Sequence, residues 1–334
     1  MEYDLSLGDA HIWHEWYLER DICIEVKISS LYQLEQPRDG QLENAIRSFH
    51  SHHGHTINAD TKIVTGLGST QVMLGLIYAF ATCIDKPKFW EQTPCHSIHK
   101  NLVRLLGQQW ISSFTSKQGI TTQPSIEFVT SPNNPDGSVR TPVTAAPIIL
   151  WDAVYAWPWY GFTLMKLLSH MKKACSKRLC IPIFSFSKSL GLAGQRVGYA
   201  LIPPSVQKAY PNLLDAYIYY ISTSTLGTCR PGEGICRVVS SGYKEFPAIT
   251  ERLEQRFDLM AEKLKKLVKG IEIFSPRGFA YLWIRFSGMD LHSKLLSLGI
   301  RGISGVDFGI TSEYVRLNLL ASTNSIDSIL SIKE

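Results

Sequence analysis

Ser185-Phe-Ser-Lys188-Ser-Leu-Gly-Leu-Ala-Gly-Gln-Arg196-Val-Gly198 is the stretch on which the reading of this chain turns. It lies between Pro182-Ile-Phe184 and Val197-Gly-Tyr-Ala-Leu-Ile202, short apolar runs that read as buried strands. An ordinary surface lysine rarely sits between two such strands. A lysine amine is a poor nucleophile at its free pKa and needs desolvating or cationic neighbours to attack a carbonyl. Arg196, eight residues on, supplies such a charge. The hydroxyls of Ser185 and Ser187 and the glycine-rich run after Lys188 suit a loop that closes on an anion. A Schiff-base lysine beside a phosphate is the pairing that pyridoxal phosphate requires.

Working outward, Thr61-Lys-Ile-Val-Thr65 reads as a strand, Gly66-Leu-Gly68-Ser69-Thr70-Gln71 as a tight turn, and Val72 to Phe80 as a buried helix. At such a turn the free N–H groups and the dipole of the helix face outward, and Ser69 and Thr70 add hydroxyl donors, so the turn suits a phosphate. A Gly-x-Gly turn is weak evidence alone and gains weight beside the lysine loop. Ser125 to Thr130 is a strand entering the turn Ser131-Pro-Asn133-Asn134-Pro-Asp-Gly137. Pro147-Ile-Ile-Leu-Trp151 is a fully apolar strand that delivers Asp152 at its carboxyl end, where open parallel sheets bind ligands. Strands alternating with helices to about residue 205 predict a mostly parallel α/β sheet.

Two further helices are expected, over residues 42–56 and 253–268. The first runs into His50, His52, His53 and His55; with no Cys or carboxylate nearby and Gly54 interrupting, this reads as a solvated helix end rather than a metal site. Phe279 to Phe286 and Tyr314-Val-Arg316-Leu-Asn-Leu319 read as strands of a second, smaller sheet, and Arg316 is the only charge within the latter run.

With 334 residues, 45% of them hydrophobic and 19% charged, the chain can bury a large core and exceeds the usual single domain, so one large and one smaller domain are expected. The net charge of +5 is spread without a basic run, which argues against nucleic acid and suits anionic small molecules. Seven scattered cysteines, Cys23, Cys83, Cys95, Cys175, Cys180, Cys229 and Cys236, read as reduced thiols. No segment has the length and apolarity to span a bilayer, and the N-terminus lacks a basic stretch followed by an apolar core. A soluble, cytoplasmic protein with no membrane partner is expected.

Together these segments resemble the fold-type I pyridoxal-phosphate enzymes, most closely the plant alliinase and tryptophan aminotransferase group. The likeness rests on Gly68-Ser-Thr-Gln71, Thr130-Ser-Pro-Asn-Asn-Pro-Asp-Gly137, Asp152-Ala-Val-Tyr155-Ala-Trp157-Pro-Trp-Tyr160 and Lys188 to Arg196, in the family's order. Gly8-Asp9 with Trp13, Glu15, Trp16 and Tyr17 is similar to its N-terminal segment, and Tyr314 to Leu319 to a C-terminal one, so the likeness spans roughly residues 5 to 325. The chain shows no cysteine-rich N-terminal module of the alliinase kind, so a secreted plant alliinase is not expected.

The resemblance implies an α/β fold-type I transferase with a seven-stranded, mostly parallel sheet. Its large cofactor-binding domain would span 40–215 and its small α+β domain 1–39 and 240–334, joined by a helical segment over 216–239. Lys188 would hold pyridoxal phosphate as an imine and move the substrate α-proton. Asp152 would pair with the pyridine nitrogen. Asn134 and Tyr155 would donate to the ring 3-oxygen. Gly68, Ser69, Thr70, Ser185 and Arg196 would hold the phosphate, and Tyr32 would reach that of a neighbouring subunit in a homodimer. His96 would stack on the ring in place of the family's tyrosine. Arg316, helped by the backbone at Gly8 and by Asn134, would clamp the substrate α-carboxylate. The implied activity is transamination between an amino acid, an aromatic one on the reading of Trp13, Trp16, Tyr17 and Trp157, and a 2-oxo acid; β-elimination by a carbon–sulfur lyase is the alternative, and a non-catalytic protein that binds pyridoxal phosphate is a remote one. No metal is implied.

Overall fold

The computed structural model describes residues 3–8, 10–21, 40–111, 123–161, 164–224 and 247–333. Its strands are β1 (Tyr3–Asp4), β2 (Lys62–Leu67), β3 (Lys88–Glu91), β4 (Gln109–Trp110), β5 (Ile126–Thr130), β6 (Ile148–Asp152), β7 (Leu179–Ser185), β8 (Val197–Ile202), β9 (Glu272–Ile273), β10 (Tyr281–Arg285), β11 (Ile300–Arg301), β12 (Ile303–Ser304) and β13 (Tyr314–Asn318). Seven of them form one sheet in the order β2-β8-β7-β6-β5-β3-β4. All neighbours in it pair in parallel except those of β8, which is antiparallel to both β2 and β7. The mostly parallel sheet expected from the alternation of strands and helices is present.

The apolar character of these strands follows from burial on both faces. Ile149 and Trp151 of β6 enter one core with Phe184 and Tyr199, while Ile148 and Leu150 enter another with Ile183 and Ala200. The second core is closed by the helices Gly68–Cys83 and Leu213–Ser224, through residues such as Leu76, Phe80 and Tyr217. The first is closed by Gly40–His52 and Pro247–Leu267, which bury Leu42, Ile46, Phe49, Leu253 and Leu264. A second sheet, antiparallel and ordered β12-β13-β10-β9, packs on this side through Tyr281, Leu282, Val315 and Leu317.

Three expectations need correction. The helix predicted over 42–56 ends at His52, and the chain turns away at Gly54, whose φ is +81°. His50 is not solvated: it is fully buried, with Nε2 2.8 Å from the Tyr199 hydroxyl and Nδ1 2.8 Å from His55 Nδ1. Burial first, then the neighbouring His55 and His53, holds its pKa well below the ordinary imidazole value. Cys175 and Cys180 are not free thiols but form a disulfide, because the short return from the helix Leu164–Ala174 into β7 brings their Cα atoms to 6.0 Å. Cys83 and Cys95 are free.

Candidate active site

The carboxyl ends of β2, β3, β5, β6 and β7 lie along one edge of the large sheet, and the amino end of the reversed β8 joins them. Register fixes the neighbours: Thr130 of β5 faces Asp152 of β6, Asp152 faces Ile183 of β7, and Ser185 faces Gly198 of β8, which in turn faces Gly66 of β2. Arg196, Asp152 and the loop holding Lys188 therefore meet at one edge although up to 44 residues separate them in sequence.

The turn before the helix Gly68–Cys83 is built as a cradle. Gly68 adopts φ +76°, and its N–H donates to the Arg196 carbonyl at 3.0 Å. The Leu67 N–H is taken up by Gln71 Oε1 at 2.6 Å. A Cβ at Gly198 would overlap the backbone of Gly68 and Ser69, so only glycine lets β8 lie this close to the turn. No side chain caps the helix start, which leaves its first amides, with Ser69 and Thr70, as donors. Arg196 stands at the rim, donating from Nη2 to the Leu67 carbonyl at 3.1 Å and from Nη1 to the Ala193 carbonyl at 3.0 Å. Ser185 caps the short helix Phe186–Ser189 by accepting from the Ser187 N–H at 3.2 Å. The helix start, Arg196 and Ser185 thus lie at the same sheet edge as the turn that carries Lys188.

Lys188 is half-buried, and its amine donates to the Gly8 carbonyl. The Tyr160 hydroxyl holds the Lys188 carbonyl at 2.7 Å, and Tyr17 holds that of Leu190 at 2.9 Å. Trp13 packs against Gly191, where no side chain would fit. Trp13, Trp16 and Trp157, which suggested an aromatic substrate, are buried in the core, and Trp13 among them backs the lysine turn at Gly191.

Asp152 accepts from the Val154 N–H at 3.3 Å through Oδ1, while its Oδ2 lies 3.4 Å from His99 Nε2. His99 continues to Glu91, whose Oε2 is 2.8 Å from Nδ1 and whose Oε1 accepts from Thr130 at 2.7 Å. Burial disfavours a charged imidazole, but the two carboxylates outweigh it and raise the His99 pKa to about 10, so a buried imidazolium bridges Glu91 and Asp152. Sequence reasoning missed both Glu91 and His99. The signal was present for Glu91, which ends an apolar strand as Asp152 ends its own. His96 lies at the same edge, among Arg316, His99 and Lys188; burial first and then these charges push it down to about 3, so its ring is neutral at ordinary pH.

Arg316 reaches the site from β13, paired with Trp283 of β10. It is 2% exposed, donates from Nη1 to Asn134 Oδ1 at 3.0 Å and from Nη2 to the Ser6 carbonyl at 2.7 Å, and leaves Nε without a partner. Among the described residues it pairs with no carboxylate, so none of them supplies the ion pair a buried guanidinium calls for. Its guanidinium lies 4.2 Å from the centre of the Tyr281 ring, and the Tyr281 hydroxyl is 2.6 Å from that of Tyr155. A cavity of about 590 Å³, lined by Ser6, His96, His292, Arg301 and Phe308 among others, opens beside this group. Of the residues expected at the site, only Tyr32 lies outside the described ones. Among the described residues no cluster could hold a metal ion, and no helix is long and apolar enough to cross a membrane.

The family model described as Allinase matches residues 4–240. The chain is 25% identical over 327 residues to tryptophan aminotransferase-related protein 3 of Arabidopsis thaliana, covering 87% of this chain and 67% of that one. It is also 25% identical over 372 residues to alliin lyase 2 of Allium sativum, covering 98% and 75%. Among solved structures it is similar to YbdL of Escherichia coli, with a TM-score of 0.74 at 15% identity over 98% of this chain and 92% of that one. MJ0684 of Methanococcus jannaschii gives 0.73 at 20% identity over 99% and 90%. Fold, lysine loop and family model converge: the chain belongs to the Allinase family, within the fold-type I enzymes that depend on pyridoxal phosphate.

Proposed function

We propose that this protein is an aminotransferase that moves the amino group of an L-α-amino acid to a 2-oxo acid. Bound pyridoxal phosphate supplies the electron sink that makes the α-proton removable. Lys188 would hold it covalently, and its amine would take the proton from the substrate. Asp152 pairs with the ring nitrogen. Gly68, Ser69, Thr70, Ser185 and Arg196 would hold the phosphate, Asn134 and Tyr155 would donate to the ring oxygen, and His96 would lie against the ring. Arg316, with Asn134 and the Gly8 backbone, receives the α-carboxylate as a bidentate pair. The chain works as a homodimer, with Tyr32 contributing to its partner's site, and divides into a large domain over 40–215 and a small one over 1–39 and 240–334.

The observation that supports this reading is Arg316, buried, with no carboxylate partner among the described residues and bonded to the Ser6 carbonyl, two residues before the Gly8 carbonyl that takes the Lys188 amine. The names of the solved neighbours, a methionine aminotransferase function for YbdL among them, favour transamination. The names of the alliin lyases favour the second reading, a carbon–sulfur lyase that shares the first proton transfer and then expels a leaving group. A panel of amino acids and cysteine S-conjugates, assayed with and without an added 2-oxo acid, separates the two. Transamination predicts sustained turnover only when the acceptor is present. Release of ammonia and a 2-oxo acid from a cysteine S-conjugate without any acceptor would replace it by the lyase reading.

A further inference from the structure

Tyr281 begins β10 and is buried, yet nothing above uses its hydroxyl. That hydroxyl is hydrogen-bonded to Tyr155 at 2.6 Å, and the Lys188 amine, which donates to the Gly8 carbonyl, is one of the charges acting on it. A Cβ placed on Gly8 would stand 3.0 Å from the Tyr281 oxygen and 3.3 Å from Lys188 Nζ, so the two atoms meet against the same bare stretch of backbone. Gly8 thus leaves open the space that amine and phenol both border.

The groups facing Tyr281 come from three elements: Lys188 from the short helix after β7, Arg316 from β13, and Tyr155 and Tyr160 from the segment after β6. Burial by itself would make this phenol hard to ionise. The charges of Lys188 and Arg316 and the hydrogen bond from Tyr155 outweigh it and lower its pKa. Tyr155 is driven the opposite way, by burial and by Tyr281, and keeps its proton. Of two hydroxyls 2.6 Å apart, Tyr281 is therefore the more readily ionised.

We propose that Tyr281 is a further catalytic residue, a proton acceptor and donor for the Lys188 amine, with Tyr155 completing a relay of three proton-carrying groups. The proposal rests on the reading of Lys188 as the amine that attacks the cofactor carbonyl. An ordinary lysine, with a pKa near 10.4, is protonated at neutral pH and does not attack. In the proposed step a proton passes from the Lys188 ammonium to the Tyr281 phenolate. One N–H bond breaks, one O–H bond forms, and an ion pair becomes two neutral groups. No outside base is needed and the net charge of the pocket does not change. The reverse step recharges the amine. Tyr155 donates to the Tyr281 oxygen while that oxygen is ionised; when Tyr281 is protonated it can donate to Tyr155 instead.

Tyr281→Phe removes the hydroxyl and keeps the ring on which Arg316 rests, so it separates proton transfer from packing. The first readout is the rate at which apoprotein takes up pyridoxal phosphate, followed by absorbance across pH. The relay predicts a midpoint for Tyr281→Phe about one unit or more above that of the unaltered protein, toward the value of a free lysine. The second is turnover: kcat falls by roughly tenfold to a hundredfold, the low end of general acid–base effects, while KM for the amino acid changes less than about twofold. Should Tyr281→Phe not fold, a fluorotyrosine at position 281, whose hydroxyl is more acidic, must move the uptake midpoint to lower pH. A variant with an unmoved midpoint and unchanged kcat overturns the relay while leaving the cofactor reading intact. If the unaltered apoprotein takes up no pyridoxal phosphate, both fall.

Discussion

A guanidinium that is 2% exposed and has no carboxylate within the described protein carries the cost of taking a charge out of water with only Asn134, a backbone carbonyl and an aromatic face to offset it. Such a residue is retained for a ligand that brings the missing charge. Arg316→Ala should weaken amino-acid binding by about 2–5 kcal/mol, the usual cost of truncating a buried, hydrogen-bonded ion pair, read as a raised KM. Arg316→Lys should recover only part of it, because a lysine cannot make the bidentate contact. An unaltered kcat/KM in Arg316→Ala would mean the side chain is structural. Arg316, Lys188 and Asp152 were legible in the sequence because each stands as a charge inside or at the end of an apolar run. Tyr281 and His99 were not. A tyrosine in a strand and a histidine after a turn are ordinary in sequence, and their meaning lies in partners 126 and 53 residues away.

Among the elements, strands were read more reliably than helix ends. Val197–Ile202 was placed residue for residue, since a strand buried on both faces announces itself by uninterrupted apolar character. The end of Gly40–His52 was misread because His50 looks polar in sequence, whereas contact with Tyr199 of β8 makes it a core residue. This seam has a pH signature. The pKa of His50 lies well below the free value, that of His53 is lowered to about 4, and that of His55 is lowered, in each case chiefly by burial. The fold binds these imidazoles neutral, so their contribution is complete above the unfolded pKa of about 6.5 and is lost as pH falls below it. His99, raised to about 10, works in the other direction: its contribution is complete below about 6.5 and is lost as pH rises toward 10. Urea midpoints should therefore fall on both sides of a maximum near neutrality, and His50→Gln should flatten the acid limb. An acid limb equally steep in His50→Gln would remove the histidine seam from the account.

At the scale of the molecule, one reversed strand organises everything. With β8 antiparallel in an otherwise parallel sheet, its amino end sits among the carboxyl ends of its neighbours and brings Arg196 back beside the turn at Gly68. The β13 strand of the second sheet then closes Arg316 over that edge. The sheet, its order of motifs and its ligand edge were foreseeable from spacing, because parallel strands collect their carboxyl ends. The disulfide between Cys175 and Cys180 and the burial of Trp13, Trp16 and Trp157 were not, since neither a close return of the chain nor the side of the lysine turn on which a tryptophan packs is written in residue type.

Everything in the account depends on one covalent bond. Apoprotein loaded with pyridoxal phosphate, reduced with borohydride, digested and mapped by mass spectrometry should carry the pyridoxyl label on Lys188 alone, and Lys188→Ala should carry none. A label on another lysine of the folded protein, or none on the unaltered chain, would contradict it.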